Sequence, residues 1–170
     1  MITIVPYDEA WPSMFQSEAK LIQSALGPLV RRVEHVGSTS IPGIAAKPVI
    51  DIQVSVLTLE PLSTYIRLLF PIDYTHFALG DFDLIYPFFQ KPATWPSTHN
   101  VHLCVERSDI ERKHIAFRDY LRSHADVATE YVALKHKLAI ENHGTTLESR
   151  ERYSLSKSDF VAAVLKMALS

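Results

Sequence analysis

The sequence has 170 residues, of which 47% are apolar and 21% are charged. This length and composition are typical of a single globular domain, here residues 1–170, and they exclude a disordered chain, a collagen-like repeat and a coiled-coil rod. Seventeen basic residues stand against nineteen acidic ones, a net charge of −2. The composition therefore disfavours a protein that binds nucleic acid through bulk positive charge.

The cysteine content and the amino terminus bear on where the protein works. One cysteine, Cys104, cannot form an internal disulfide, which is typical of the reducing cytosol. The first residues lack the basic and apolar segments of a signal peptide, and no apolar run reaches the roughly 18 residues of a membrane helix. We therefore expect a cytoplasmic protein that has no membrane partner.

The first third of the chain predicts one helix and two strands. Ser13 and Gln16 have the spacing of a capping box, apolar residues then recur at helical spacing, and Gly27 with the following proline ends the helix. A short strand is predicted over 30–36. The strand predicted over 49–57 has the clearest pattern of the chain, because isoleucine and valine alternate there with polar residues.

The middle of the chain predicts a short helix and further strands. The pattern favours a helix over 59–70, then one or two strands over 72–89 with a turn near Gly80. Residues 87–100 contain three prolines and little periodicity, so a loop is predicted there. Aliphatic residues alternate with other side chains over 101–105, and this pattern predicts a last strand.

The last third of the chain predicts helices. Ser108 and Glu111 have the spacing of a second capping box. Apolar residues at helical spacing over 127–138 predict another helix, which ends at 142–144, and a final helix is predicted over 161–168. Strands in the middle and helices at both ends predict an α+β fold, a small mixed β-sheet with flanking helices and a helical C-terminal third.

A loop rich in hydroxyl groups joins the first two predicted strands. Gly37 follows the first strand directly, and Ser38, Thr39 and Ser40 come next. A glycine lets the backbone approach a ligand closely, and hydroxyls together with the N–H groups of a turn surround an anion such as phosphate. The loop lacks the Gly-Lys-Ser/Thr ending of a P-loop. An ordinary loop with a helix cap is the competing interpretation.

Polar side chains on the second strand predict a cation site. Asp51 and Gln53 lie on the face opposite an unbroken Ile/Val stripe, where a carboxylate is costly unless it is paired or binds a cation. Side chains at i and i+2 converge on one metal above the sheet, and oxygen ligands suit Mg²⁺ or Mn²⁺. We therefore predict Mg or Mn at Asp51, where it would align a phosphate group for nucleotidyl or phosphoryl transfer.

The loop and the strand together resemble the nucleotidyltransferase superfamily, in which a Gly-Ser loop precedes a strand with an Asp-x-Asp-type pair. The stretch GSTSIPGIAAKPVIDI closely resembles the GrpB family of that superfamily. Residues 114–138 (HIAFRDYLRSHADVATEYVALKHKL) and 153–164 (YSLSKSDFVAAV) are also similar to it. The resemblance implies a small mixed sheet with the site on one face. It also implies a candidate partner, because some members of the family are joined to dephospho-CoA kinase.

The resemblance assigns roles to individual residues. Gly37 and Ser38 match the phosphate loop, and Asp51 matches the first metal carboxylate. Gln53 stands where active transferases have the second carboxylate, and an amide oxygen is a weaker ligand for a hard cation. The neighbouring strand offers His102 on its polar face in place of a third acid. Asp51, Gln53 and His102 are therefore the predicted catalytic residues of a site that is depleted for transfer.

Basic and aromatic residues supply further candidates for an anion site. Lys47 opens the second strand and either reaches a phosphate or is a solvated charge. Arg118, Lys135 and Lys157 lie in the family-like helices, where each lines an anion pocket or belongs to a solvated helix face. Trp95, between prolines, either stacks on a base or anchors its loop.

Functions of different classes remain open. The first is a GrpB-family protein that binds a nucleotide or another phosphorylated small molecule with a divalent cation, nucleotidyl or phosphoryl transfer being the reaction if it is an enzyme. The second is a non-catalytic module that binds a ligand or docks on an enzyme of coenzyme A metabolism, and Gln53 in place of an acid motivates it. A structural interaction domain is a third, weaker alternative. Nothing in the sequence sets the oligomeric state.

Overall fold

A five-stranded mixed sheet with helices on both faces forms the centre of the molecule. The computed structural model describes residues 2–142 and 146–170. The strands are β1 Val30–Val36, β2 Ile50–Val56, β3 Thr75–Phe77, β4 Phe88–Lys91 and β5 His99–Val105. The helices are α1 Trp11–Leu26, α2 Leu62–Leu69, α3 Asp109–Ser123, α4 Ala125–Glu141, α5 Leu147–Leu155 and α6 Ser158–Ala168. The predicted α+β fold is confirmed.

The strand order β1-β2-β5-β4-β3 places β2 inside the sheet. β2 runs antiparallel to β1 and parallel to β5, and β4 and β3 extend the sheet in antiparallel pairs. The register between β2 and β5 sets Asp51 opposite Asn100 and Gln53 opposite His102. The polar side chains of these two strands therefore lie side by side on one face of the sheet.

The apolar face of the sheet is buried beneath α1 and α2. Ile50, Ile52, Val54 and Val56 of β2 are at most 1% exposed, and they pack in one cluster with residues of both helices. Fully burying a side chain of this size contributes about 1.5–3 kcal/mol. This stripe therefore decides which face of β2 points inward, as the alternation in the sequence predicts.

The opposite, polar face of the sheet is covered in part by α3. This helix begins at its predicted cap, where the Ser108 hydroxyl accepts a hydrogen bond of 3.3 Å from the Glu111 N–H. The side chain of Glu111 turns elsewhere, because its carboxylate accepts from the backbone N–H of Arg107 at 2.5 Å. The N-cap is confirmed, and the carboxylate that would complete the capping box serves another contact instead.

The start of α1 differs from the prediction. The helix begins at Trp11 with Pro12 in its first turn, and the Ser13 hydroxyl donates to the Ala10 carbonyl at 2.8 Å. Proline favours the first turn of a helix because its φ is already helical and its missing N–H has no partner there. Ser13 is therefore inside the helix, and its predicted role as the N-cap is wrong.

Shorter elements in the middle and at the end of the chain also differ from the prediction. β4 begins where the predicted strands of 72–89 end and continues into the predicted loop 87–100, since four residues are too few to show alternation. The predicted turn near Gly80 is a short 3-10 helix, and α5 has no predicted counterpart. Asn142 ends α4, whereas 143–144 lie outside the described residues. Among the described helices, none is both long and apolar enough to cross a membrane.

Candidate functional site

A cavity of about 670 Å³ opens on the polar face of the sheet. Its wall includes Ser38 after β1, Asp51 on β2 and His102 on β5, and it continues over Lys135 on α4 to Lys157 between α5 and α6. Sites for small molecules have volumes of roughly 300–1,000 Å³. The cavity therefore has the size of a site for a small organic ligand, and residues distant in sequence meet in it.

Asp51 is held in the cavity wall by two close neighbours. Its Oδ1 accepts a hydrogen bond of 3.0 Å from Asn100 Nδ2. On the other side, Gly37 has a φ of 70°, and a Cβ at this position would lie 2.6 Å from Asp51 Oδ2. The glycine is thus required by the carboxylate of Asp51, whereas the sequence interpretation reserves its space for a ligand.

Each of the three lysines that line the cavity lies over an aromatic ring. The distances from Nζ to the ring centroid are 4.4 Å for Lys47 and Trp95, 4.8 Å for Lys135 and Tyr131, and 4.3 Å for Lys157 and Tyr153. The face of an aromatic ring attracts an ammonium group without neutralising its charge. The rings therefore position three amines, whose charge acts inside the cavity when they are protonated.

Burial alters the ionisation of these groups. It lowers the pKa of Lys135 to about 7, and the charge of Lys157 adds to this effect. It lowers the pKa of Lys157 to about 8, an effect that Asp51 opposes and Lys47 reinforces. Burial raises the pKa of Asp51, although the Asn100 hydrogen bond and two of the lysines act to lower it. An anion bound beside the lysines would favour their charged forms.

Two hydroxyls of the predicted phosphate loop are used to shape the loop itself. Ser40 Oγ donates to the Gly37 carbonyl at 2.5 Å. Thr39 Oγ1 donates to the Val49 carbonyl at 3.1 Å, and His35 Nε2 lies 2.9 Å from Thr39 Oγ1. Because the Thr39 proton goes to the carbonyl, the imidazole donates to the hydroxyl. Thr39 and Ser40 therefore fix the backbone of the loop.

Ser38 lines the cavity, and although burial raises the pKa of the Tyr131 phenol, the Ser38 side chain acts to lower that pKa. The structure brings most of the predicted site residues together around Ser38. Those that line the same cavity are Ser38, Thr39, Lys47, Asp51, His102, Lys135 and Lys157.

Gln53 lies behind the cavity wall and is 0% exposed. Its Oε1 accepts a hydrogen bond of 3.0 Å from the Tyr86 hydroxyl, and its Nε2 donates to the Glu111 carbonyl at 3.3 Å. The ring of Tyr86 stacks between those of His102 and His114, with centroid distances of 4.6 and 4.7 Å. Both ends of the Gln53 amide are thus engaged within the protein and face no ligand.

His102 contributes a neutral ring to the cavity wall. Burial, together with the nearby His114, lowers the pKa of His102 to about 3, so the ring is uncharged near neutral pH. Its Nδ1 is buried and has no hydrogen-bond partner among the described residues. A neutral imidazole offers one donor and one acceptor, and it is a poor ligand for a hard divalent cation.

Arg118 lies away from the cavity. Its guanidinium pairs with Glu34 at 2.6 Å and with Asp119 at 2.8 Å, and it donates to the His35 carbonyl at 3.0 Å. These contacts join α3 to β1. The structure therefore separates Arg118 from the three lysines with which the sequence groups it.

The sequence analysis did not predict the apolar residues at the cavity mouth or two residues that position the charged groups. Leu79, Phe82 and Leu155 line the cavity although they are 48%, 54% and 71% exposed. Isolated apolar residues in irregular segments give no periodic signal, so the sequence did not indicate them. Asn100 was also missed, because its contact with Asp51 exists only after distant segments pack together. Tyr153 was missed as well, although it precedes Lys157 by only four residues.

The predicted Mg or Mn site holds one strand carboxylate, Asp51, with Gln53 at the position of the second. In nucleotide sites Mg²⁺ is held by one or two carboxylates together with phosphate oxygens. Here Asp51 is one carboxylate among three lysines, and Gln53 is directed elsewhere. Within the part of the chain that the structure describes, no group of three His, Cys, Asp or Glu side chains is arranged to hold a metal ion.

The fold and the site define an α+β protein with a cavity that three lysines line beside a single strand carboxylate. The family model for "GrpB protein" matches residues 1–167. The chain therefore belongs to the GrpB family, as its resemblance to that family implies.

Relatives agree with this assignment. UPF0157 protein YqkA of Bacillus subtilis is 32% identical over 161 residues, which are 94% of this chain and 45% of that protein, so this chain spans less than half of its length. UPF0157 protein BH1888 of Halalkalibacterium halodurans is 36% identical over 168 residues, 98% of this chain and 82% of that protein. A dephospho-CoA kinase of Mycolicibacterium paratuberculosis is 29% identical over 157 residues, 79% of this chain and 39% of that enzyme.

A solved structure has the same fold. The crystal structure of conserved protein GrpB from Enterococcus faecalis is similar with a TM-score of 0.83 and 33% sequence identity. The match covers 98% of this chain and 97% of that one. The mixed sheet and the helical C-terminal part are therefore those of the GrpB fold.

Proposed function

We propose that this protein binds a nucleotide or another phosphorylated small molecule in the cavity, with a phosphate group among the lysines. The observation that carries the proposal is the convergence of Lys47, Lys135 and Lys157, each placed over a ring, on one cavity. Phosphate oxygens accept several charge-assisted hydrogen bonds from ammonium groups. Each lysine comes from a different segment of the fold, so this concentration of charge requires the folded structure.

The apolar mouth supports an organic ligand in addition to its phosphate. Leu79, Phe82 and Leu155 place exposed apolar surface at the cavity, and the ring of Trp95 lies in the same wall. Binding an organic group there removes this surface from water, at a gain of about 25 cal/mol per Å². A ligand with both a phosphate and an apolar or aromatic part therefore complements the cavity better than free phosphate.

We infer binding without nucleotidyl transfer. Metal-assisted transfer depends on carboxylates that hold the cations, and the position of the second carboxylate is occupied by Gln53. The Gln53 amide is bonded to Tyr86 and to the Glu111 carbonyl, which supports a structural role. The non-catalytic module is therefore the function that we favour, and transfer with a divalent cation at Asp51 is the alternative.

The similarity to a dephospho-CoA kinase suggests one group of ligands and one kind of partner. We propose that intermediates of coenzyme A synthesis, which carry a phosphate on a flexible organic chain, are candidates for the cavity. We propose an enzyme of that pathway as a candidate protein partner for the same reason. Both proposals rest on a match that covers 39% of the kinase.

A thermal-shift panel tests the binding function. The ligands are the ribonucleoside mono- and triphosphates, phosphopantetheine and dephospho-CoA, each at millimolar concentration with Mg²⁺. A ligand present at 100 times its Kd adds about 2.7 kcal/mol to the free energy of unfolding. For a chain of this size each kcal/mol raises Tm by roughly 2–4 °C, so we expect a rise of several degrees with at least one ligand.

Lysine variants locate the binding. Lys157→Met should abolish most of the shift, whereas the exposed Lys166→Met on α6 is a matched control that should leave it unchanged. No shift with any ligand, or an equal loss in both variants, would contradict the proposal. Release of pyrophosphate from a triphosphate, measured on the wild-type protein, would instead favour the transferase.

A further inference from the structure

We propose that the cavity takes the phosphate of a monoester dianion directly on its lysines, without a divalent cation. The inference rests on the binding function proposed above and names the class of its ligand. It is carried by three features of the site: the contacts of Asp51, the contacts of Gln53, and the positions of the lysines relative to both.

The contacts of Asp51 leave little room for a metal ion. Its Oδ1 is engaged by Asn100 at 3.0 Å. Its Oδ2 is so close to Gly37 that a Cβ there would lie at 2.6 Å. A cation bound at Asp51 would have to compete with the Asn100 amide for one oxygen and with the backbone of the loop for space around the other.

Gln53 cannot act as the second ligand without a rearrangement. It is 0% exposed, it accepts from Tyr86 and it donates to the Glu111 carbonyl. Turning its amide towards the cavity would break both hydrogen bonds and leave the buried Tyr86 phenol without its acceptor, which is costly. The adjacent Tyr86 ring is itself fixed by stacking against two histidines.

The lysines occupy the electrostatic role that a metal would have. Lys47 and Lys157 both act electrostatically on Asp51, so they would repel a divalent cation there. They attract an anion for the same reason, because the aromatic rings beneath them do not neutralise their charge. Among the lining residues that the structure describes, the one further carboxylate is that of Glu151, which is exposed.

The charge balance favours a monoester over a triphosphate. The lining carries three lysines against Asp51 and Glu151, and His102 is neutral. The net charge of the wall is thus at most +1, and the two negative charges of a phosphate monoester exceed it by only one. A triphosphate brings about four and ordinarily shares them with Mg²⁺, for which the wall has no second inner carboxylate among the described residues.

Titration calorimetry with AMP and ATP as probes tests the inference, with each titration made in EDTA and repeated in Mg²⁺. We expect AMP to bind with a Kd that differs by less than about twofold between the two buffers, and ATP to gain nothing from Mg²⁺. Lys157→Met should weaken AMP binding by about tenfold or more in both buffers. Lys166→Met should have no effect.

A second measurement does not depend on the choice of nucleotide. Binding of Mn²⁺ alone to the wild-type protein is followed by electron paramagnetic resonance, with Asp51→Asn as the control. We expect the free Mn²⁺ signal to be unchanged by either protein. Mn²⁺ binding that Asp51→Asn removes, or AMP binding that EDTA abolishes, would overturn the inference and leave the binding function standing. Absence of AMP binding in both buffers would also overturn the inference, and if no ligand of the thermal-shift panel binds either, the binding function is contradicted as well.

Discussion

The two ends of the polar face of β2 differ in their balance of charge: a buried carboxylate lies among hydrogen-bond donors at one end, and a carboxylate lies beside three lysines at the other. At one end, Glu111 is 2% exposed and its carboxylate is fully surrounded by donors. These donors are the Arg32 guanidinium at 2.6 Å, the Arg107 N–H at 2.5 Å and the Ser55 hydroxyl. At the other end, Asp51 shares a cavity with three lysines. We refer to the first group as the Glu111 cluster.

The difference separates a structural site from a binding site. In the Glu111 cluster one anion meets several donors, so the charges and hydrogen bonds are satisfied within the protein. In the cavity three lysines stand against Asp51 and Glu151, and each lysine lies over an aromatic ring. Stability should therefore depend on the cluster, and anion binding should depend on the cavity.

The largest expected effect is on the Glu111 cluster. Glu111→Ala leaves the Ser55 hydroxyl and the Arg107 N–H without their buried acceptor, and removing one partner of a buried ion pair costs about 3–5 kcal/mol. We expect a loss of this order in the free energy of unfolding, measured with urea. Arg32 is half exposed, so the lower part of that range is the better expectation.

The pH dependence of Glu111 has a definite sign. Burial acts to raise its pKa, but hydrogen bonds from Ser55, Arg107 and Arg32 hold the pKa below its ordinary value. The stabilisation is therefore present above the unfolded-state pKa of 4.5 and is lost as the pH falls below it. The control is Glu106→Gln. The carboxylate of Glu106 in the wild-type protein lies 3.9 Å from Arg31 in a more exposed pair. An equal loss in the free energy of unfolding for Glu111→Ala and Glu106→Gln would contradict the structural role assigned to the Glu111 cluster.

A smaller effect is expected where the loop meets Asp51. Gly37→Ala places a Cβ 2.6 Å from Asp51 Oδ2, and overpacking of this kind costs about 1–3 kcal/mol. Gly43→Ala is the matched control, because Gly43 also has a positive φ, 79°, but a Cβ there meets nothing within 4 Å. The difference in Tm between the two variants measures the crowding against Asp51 together with any difference in backbone strain, and equal Tm values would show that no such contact exists.

Local pattern was enough to predict the fold, because the signals were local. Alternation on β2, the N-cap at Ser108 and the glycine that ends α1 each depend on a few neighbouring residues. Elements with weaker local signals were predicted less well: the bounds of the short β4 were misplaced, and the polar α5 was not predicted. The helix start at Ser13 failed because two residues fit the rules for the first turn, and Pro12 prevailed.

The site was predictable only in part. Spacing in the sequence singled out Gly37 and Asp51, and the resemblance to GrpB added Lys135 and Lys157 through the helices. The separate fates of Gln53 and Arg118 depend on partners more than 30 residues away, Tyr86 and Glu34. No periodicity encodes such contacts, so a polar side chain that is used inside the protein looks the same in sequence as one that faces a ligand.

The smallest expected effect concerns Lys135, which is 2% exposed and donates to the Ala45 carbonyl. Its pKa is about 7 in the folded protein against an ordinary 10.5. Between these values the unfolded chain binds more protons, so this group makes the free energy of unfolding increase as the pH rises above 7. Lys135→Met removes the buried amine and should stabilise the protein near pH 7 by about 1 kcal/mol, after the lost hydrogen bond is subtracted.

Urea unfolding of wild type and Lys135→Met between pH 6.5 and 8.5 measures this difference directly. The advantage of the variant should shrink as the pH rises, because the wild-type lysine then loses its proton in the folded state. Lys113→Met, an exposed change on α3, should show no pH-dependent difference from wild type. If Lys135→Met also weakens anion binding, the buried lysine lowers stability in order to place positive charge in the cavity. A variant that is less stable at every pH would instead place Lys135 with the Glu111 cluster, as a group that serves the fold.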